Sequence, residues 1–159
     1  MGVITVGISD LKIAKAPDVL ATYALGSCVG IALRDQITGI GGLAHIMLPW
    51  SVEATDPNAN PRRYADTGIL ELIEKMCRCG AKPGNFLAKI AGGAQMFESK
   101  YHSFNIGQRN VEAVKRVLSD LKIRITAEDT GLNFGRTVFF VVENGDLQIK
   151  AAAKNIKVI

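Results

Sequence analysis

Apolar residues alternate with small or polar residues along much of the first half of the chain, a pattern typical of β-strands. In residues 28–33 the larger side chains Val29, Ile31 and Leu33 fall on one face, and a period of two residues indicates a strand. Short apolar or β-branched runs predict the other strands, at residues 2–8, 19–25, 40–48, 86–91, 123–128, 136–142 and 146–152. Asn144-Gly145 predicts a hairpin turn between the last two of these.

Two segments instead repeat their apolar residues at helical spacing. The first has Asn60 as a good N-cap, Pro61 at the first helical position and Gly80 as the C-cap, while residues 51–60 before it form a polar loop. Its apolar stripe is Ala65, Ile69, Leu72, Ile73 and Met76. The second covers residues 110–121, with a stripe of Val111, Val114, Val117, Leu118 and Leu121.

Many strands and two helices that do not strictly alternate with them favour an α+β fold over a doubly wound parallel one. A length of 159 residues without a visible linker predicts one domain spanning residues 1–159. The net charge of +4 and the 6% aromatic content argue against a dedicated nucleic-acid binder. The N-terminus lacks signal-peptide features and no apolar run is long enough to span a bilayer, so we expect a cytoplasmic protein that is not inserted in a membrane.

The cysteines are three in number, so they cannot all be paired within one chain. Cys28 lies between Gly26 and Gly30, and His45 follows on the next predicted strand. If these strands pair, the histidine can take the thiol proton and hold the thiolate as an ion pair, which makes an activated nucleophile. The alternative is that Cys28 is a small core residue and His45 a hydrogen-bonded strand histidine.

Other candidates carry weaker signals. Cys77 and Cys79 form a Cys-x-Cys pair at a predicted helix end; with no second pair, we predict no metal site and no cofactor. His102 is expected in a surface loop. Gly92 and Gly93 provide either close backbone approach to the site or a tight turn.

Several sequence blocks resemble the chemotaxis protein CheD family, in the same order and over most of the chain. The most specific are Ala24-Leu25-Gly26-Ser27-Cys28-Val29 and Ala44-His45-Ile46-Met47-Leu48-Pro49. The other blocks are residues 63–67, 92–97, 106–110 and 129–136. This chain departs from the family at Leu132, where a glycine is common, and at Gly68, where an alanine is common.

The resemblance implies a protein-glutamine deamidase (a protein-glutamine glutaminase) that converts chosen glutamines of methyl-accepting chemoreceptors to glutamates. It implies Cys28 as the nucleophile, His45 as the general acid and base, and Thr22 as the residue that orients the imidazole. For Thr22 the alternative is a solvent-facing strand residue. The implied fold is a compact sandwich of mixed β-sheets flanked by two or three helices, similar to deamidating toxin catalytic domains.

Deamidation of an amide requires donors for the oxyanion, and the backbone around Ser27 and Cys28 is the first candidate. Gly26, Gly92 and Gly93 are further candidates to donate to the oxyanion or to bind the substrate. Ser27 is a candidate for a second hydroxyl at the site. Hydrolysis of receptor glutamate methyl esters is chemically close, because it would pass through the same thioester. The resemblance also implies a partner, the phosphatase CheC. An alternative function is a non-catalytic chemotaxis adaptor that binds receptors or CheC.

Overall fold

The computed structural model describes residues 2–96, 105–152 and 154–159. Within these ranges the chain forms two α-helices, α1 (Ala65–Arg78) and α2 (Ile106–Asp120). The strands of the described residues are β1 (Val3–Thr5), β2 (Leu11–Ala14), β3 (Val19–Leu25), β4 (Val29–Asp35), β5 (Gly41–Ile46), β6 (Phe86–Gly92), β7 (Arg124–Thr130), β8 (Arg136–Val141), β9 (Asp146–Ala151) and β10 (Lys157–Val158).

The strands form two mixed sheets of five. The first has the order β1-β3-β8-β9-β10, and the second β2-β5-β4-β6-β7. Each contains one parallel pair, β1 with β3 and β6 with β7, among antiparallel pairs. The prediction of an α+β sandwich of mixed sheets with two or three helices is confirmed.

The second sheet lies between the helices and the first sheet. Ile31 of this sheet shares one buried apolar cluster with Ile69 of α1 and Val114 of α2. On the opposite face, Leu43 shares a second cluster with Leu20 of the first sheet. All six residues of β5 are therefore buried, and any polar side chain on this strand must find its partners inside the protein.

The first helix begins later than its sequence predicts. Asn60 does act as a cap, since its side chain accepts a hydrogen bond from the N–H of Arg62, but it caps a short 3₁₀ turn at Pro61–Arg63. The carbonyl of Arg63 accepts bonds from the N–H groups of Met47 and Leu48. This pairing with the chain after β5 holds the backbone extended at residue 64, so α1 begins at Ala65.

The second helix begins earlier than predicted, at Ile106 and not at residue 110. Asn105 is its N-cap and accepts a hydrogen bond from the N–H of Gln108. Asn110 is thus a buried residue inside α2 and not its first residue. Of the predicted stripe, Val114, Val117 and Leu118 are buried, Val111 is half-buried and Leu121 is exposed.

The predicted strands are present, with shifts of at most three residues at their ends, and the structure adds β2 and β10. The first strand is limited to Val3–Thr5. The third and fourth predicted strands, β4 and β5, pair through a turn that includes Gly39. Asn144 and Gly145 lie in the connection between the antiparallel strands β8 and β9, as predicted.

The turn between β4 and β5 is organised by the buried carboxylate of Asp35. It accepts hydrogen bonds from the backbone N–H groups of Ile37 (2.8 Å), Thr38 (3.0 Å) and Lys82 (2.8 Å). Burial raises the pKa of this carboxyl, but the donors of Lys82, Thr38 and Ile37 together outweigh burial and lower the pKa to about 2. The ionised carboxylate therefore stabilises the turn that joins the two strands.

We expect Asp35→Asn to lower the free energy of unfolding by about 1–3 kcal/mol at pH 7, because a neutral amide oxygen is a weaker acceptor. The carboxyl has a lower pKa folded than unfolded, so its contribution is present above about pH 4 and is lost as the pH falls towards 2. Urea unfolding at pH 7 and pH 3 measures this. The exposed control Asp120→Asn should change little, and an equal effect of Asp35→Asn at both pH values would contradict the assignment.

Candidate active site

Pairing of β4 with β5 places Cys28 and His45 on the same face of the second sheet. Gly30 lies opposite His45, and Val29 lies opposite Ile46. Cys28 immediately precedes β4, so continuing this register makes it a diagonal neighbour of His45, and such neighbours lie roughly 7–8 Å apart. Gly30 itself places no side chain between the two residues, and a Cβ there would lie 3.2 Å from a methyl group of Leu25.

His45 is held from the first sheet by Thr22. The two residues are fully buried, and Thr22 Oγ1 lies 2.7 Å from Nδ1 of the imidazole. The same hydroxyl donates its single proton to the carbonyl of Val6, also at 2.7 Å. Thr22 therefore accepts from His45, which puts the ring proton on Nδ1 and leaves a lone pair on Nε2. The solvent-facing alternative for Thr22 is excluded.

The lone pair on Nε2 of His45 is unused. This atom is buried and has no hydrogen-bond partner among the described residues. Cys28 is a free thiol that is only partly buried and packs against the apolar cluster between the sheets. A buried nitrogen without a partner costs stability, and such groups are typical of sites that act on a ligand or a reacting group.

The two titratable groups are both neutral in the free protein. Burial lowers the pKa of the His45 imidazole to about 4, so the ring carries no charge at pH 7. Burial also raises the pKa of the Cys28 thiol, although the residue's own backbone N–H, close to the sulfur, opposes this. The expected thiolate–imidazolium ion pair is therefore not the favoured resting state; a thiol faces a neutral base.

The segment that carries Cys28 is fixed by hydrogen bonds to three successive carbonyls. The Gly26 carbonyl accepts from the N–H of Ala94 (2.9 Å), and the Cys28 carbonyl accepts from the N–H of Gly93 (2.8 Å). The Ser27 carbonyl accepts from the side chain of Asn110 (2.9 Å). The loop after β6 and helix α2 thus hold the cysteine from two directions.

Gly92 and Gly93 provide close backbone approach to this segment. Gly92 has φ 111°, and a Cβ there would lie 2.2 Å from the Cys28 carbonyl oxygen. Gly93 has φ 66°, and a Cβ would lie 2.2 Å from a methyl group of Val111 on α2. Both positions require glycine for conformation and for space, because any side chain would displace the backbone beside Cys28.

Some of the backbone N–H groups near Cys28 already donate hydrogen bonds, and others do not. Gly26 donates to the Ala24 carbonyl, and Gly93 donates to Cys28. Among the described residues, the N–H groups of Ser27 and Cys28 form no backbone hydrogen bond. These two N–H groups therefore remain available to a further acceptor.

Other predicted candidates lie away from this arrangement or outside the described residues. Cys77 and Cys79 are exposed at the end of α1. His102 lies outside the described residues. Among the residues that the structure does describe, no group of three or more His, Cys, Asp or Glu side chains is placed to hold a metal ion. No helix of that part has the length and hydropathy to cross a membrane.

A pocket of about 380 Å³ adjoins the Cys28 segment through Gly93. Its lining includes Gln95, Gln108 and Leu132, but not Cys28 itself. Leu132, a departure from the family pattern, is exposed and adopts φ 59° after Gly131. The loop thus takes a left-handed conformation at this position without glycine. The carbonyl of Leu132 accepts a hydrogen bond from the N–H of Gln95.

Asn110 is the contact of this site that the sequence did not predict. Its amide group donates to the carbonyls of both Ser27 and Met47 at 2.9 Å. Its place just before the predicted apolar stripe led to its interpretation as a helix start. A polar residue one turn before Val114 on the buried side of the helix was the available signal.

The fold has a distant counterpart among solved structures. A Neisseria meningitidis protein of the DUF152 family matches with a TM-score of 0.51 and 12% sequence identity, over 83% of this chain and 64% of that one. At this identity the match shows similarity of fold alone.

Curated proteins match the whole chain much more closely. A Caldanaerobacter subterraneus protein, named a probable chemoreceptor glutamine deamidase CheD, is 51% identical over 99% of this chain and 98% of its own length. The chemoreceptor glutamine deamidase CheD of Thermotoga maritima is 47% identical over 91% of this chain and 89% of its own. Residues 47–151 match the family model described as CheD chemotactic sensory transduction. The chain belongs to the CheD family.

Proposed function

We propose that this protein is a cysteine-dependent glutamine deamidase that acts on methyl-accepting chemoreceptors. The observation that carries the proposal is the buried Nε2 of His45, which has no hydrogen-bond partner among the described residues, on a strand whose register makes Cys28 a diagonal neighbour of His45. The names of the relatives support the substrate and the reaction. A non-catalytic adaptor would have no use for a buried base without a partner next to a thiol.

In the first step the Cys28 thiol attacks the carbonyl carbon of a glutamine side chain. His45 Nε2 takes the thiol proton as the sulfur–carbon bond forms, because the thiol is protonated at rest. Thr22 keeps the ring proton on Nδ1 throughout and so directs Nε2 at the sulfur. The oxyanion accepts hydrogen bonds from the N–H groups of Ser27 and Cys28.

The intermediate then collapses to a thioester. The imidazolium of His45 returns its proton to the amide nitrogen, the carbon–nitrogen bond breaks and ammonia leaves. A water molecule next gives a proton to the neutral imidazole and attacks the thioester. The carbon–sulfur bond breaks, the thiol regains its proton from His45, and glutamate remains on the receptor.

The same thioester would form from a glutamate methyl ester, with methanol as the leaving group. We therefore include hydrolysis of receptor methyl esters in the proposal as a second reaction of the same site. The phosphatase CheC is the proposed partner, on the basis of family membership. No cofactor takes part in these steps.

Deamidation itself is the primary test. Incubation of the protein with a chemoreceptor cytoplasmic fragment should convert specific glutamines to glutamates, detected by a mass increase of about 1 Da in their peptides. Cys28→Ala should abolish the conversion, and His45→Ala should slow it by about 10²–10⁴-fold, the range for general acid–base catalysis. Methylated fragment assayed in parallel measures ester hydrolysis. Absence of conversion by the wild-type protein on its cognate receptors would refute the proposed function.

The protonation states predict the pH dependence of thiol alkylation. With a raised pKa for Cys28 and a pKa of about 4 for His45, the rate of alkylation of Cys28 by iodoacetamide should be low at pH 7 and should rise through pH 9. Peptide mass spectrometry separates Cys28 from Cys77 and Cys79, which serve as exposed reference thiols. A plateau of fast alkylation from pH 5 to pH 8 would instead demonstrate a resting ion pair.

Thr22→Val removes the hydroxyl while preserving the shape of the side chain. Because Nδ1 of His45 then loses its acceptor, both tautomers become accessible, and we expect kcat to fall by roughly 10- to 100-fold with KM nearly unchanged. Thr22→Ser is the matched control, since it retains the hydroxyl and should keep most of the activity. Equal activity of the Val and Ser variants would show that Thr22 has no orienting role.

A further inference from the structure

Asn110 connects helix α2 to both halves of the proposed site. It is fully buried, and its Nδ2 group donates to the carbonyl of Ser27, just before Cys28, and to that of Met47, two residues after His45. Because both partners are carbonyl oxygens, only the NH₂ end of the amide can face them, which settles its orientation.

The other end of the same amide has no partner. Oδ1 of Asn110 is buried and accepts no hydrogen bond among the described residues. An unpaired buried acceptor lowers stability, so packing alone is a poor explanation of an asparagine at this position. What the residue supplies is a pair of donors directed at two carbonyls.

The bond to Ser27 has a consequence for the neighbouring N–H. The carbonyl of Ser27 and the N–H of Cys28 belong to one trans peptide unit, which is planar, so the two groups point in opposite directions. A donor that holds the carbonyl therefore also sets the direction of the N–H. That N–H lies beside the Cys28 sulfur and is one of the two available for an oxyanion.

We propose that Asn110 is a positioning residue for acyl transfer: by holding the Ser27 carbonyl, it directs the Cys28 N–H at the oxyanion formed when the thiol attacks. This inference rests on the proposed cysteine chemistry. Its effect is confined to reactions that pass through a tetrahedral oxyanion, because a substitution at a saturated carbon generates no such charge.

Two reagents separate these cases in a Cys77→Ser, Cys79→Ser background, where Cys28 is the remaining cysteine. With p-nitrophenyl acetate the sulfur attacks the ester carbonyl through an oxyanion, p-nitrophenol leaves and Cys28 becomes an acetyl thioester. With iodoacetamide the sulfur displaces iodide from a saturated carbon, the thiol proton passes to solvent, and no oxyanion forms. Both rates are measured at the same pH by mass spectrometry of the Cys28 peptide.

In Asn110→Leu, which has a similar size and no donor, we expect acylation to slow by about 10- to 100-fold, below the 10²–10³ typical of complete loss of an oxyanion donor. Alkylation should change by less than about twofold. Val114→Ala, a buried substitution one turn along α2, is the matched control; it should lower the thermal midpoint and leave the ratio of the two rates unchanged. If Asn110→Leu does not fold, Asn110→Ala is measured in the same way.

An equal fall in both rates, or no change in either, would overturn the inference and leave Asn110 a structural residue. On a receptor fragment the variant should lose kcat with little change in KM. A third outcome is that the Cys77→Ser, Cys79→Ser protein is acylated at Cys28 but does not deamidate receptors, while Asn110→Leu slows the acylation selectively. This outcome would refute the proposed function and support the inference. The two failures are therefore distinguishable.

Discussion

The hydrogen bond between Thr22 and His45 joins the two sheets at the point where the chemistry is expected. Thr22 belongs to the first sheet and His45 to the second, and both side chains lie in the apolar space between them. In that environment each polar atom must be satisfied or remain unpaired at a cost. Because the hydroxyl proton goes to Val6, the geometry also selects the tautomer of the imidazole.

The same burial decides the charges at the site. Desolvation disfavours both the imidazolium of His45 and the thiolate of Cys28, so the resting pair is neutral. In the proposed mechanism, charge separation accompanies attack on the substrate, when an oxyanion and its donors are present to balance it. A site of this kind depends on placement of its donors more than on a pre-formed thiolate.

Placement of the cysteine depends on elements that are distant in the chain. The loop after β6 and helix α2 donate to three consecutive carbonyls, those of Gly26, Ser27 and Cys28. Gly92 and Gly93 allow this contact because a side chain at either position would collide with its neighbours. Asn110 also donates to the carbonyl of Met47, just after β5, so one helix contacts the segments that carry Cys28 and His45.

The sequence by itself determined the α+β class, nearly all of the strands that build the sandwich, and the family, because strand periodicity and the Cys28 and His45 motifs are local properties of the chain. It misplaced the starts of both helices, because contacts of residues 47 and 48 with Arg63, and the cap at Asn105, interrupt or extend the local pattern. Only the tertiary structure decided the neutral state of the pair and the support by Asn110. Burial and contacts between residues distant in the chain create both. The sequence shows only that Asn110 is a polar residue on the side of the helix that carries Val114, and not what it contacts.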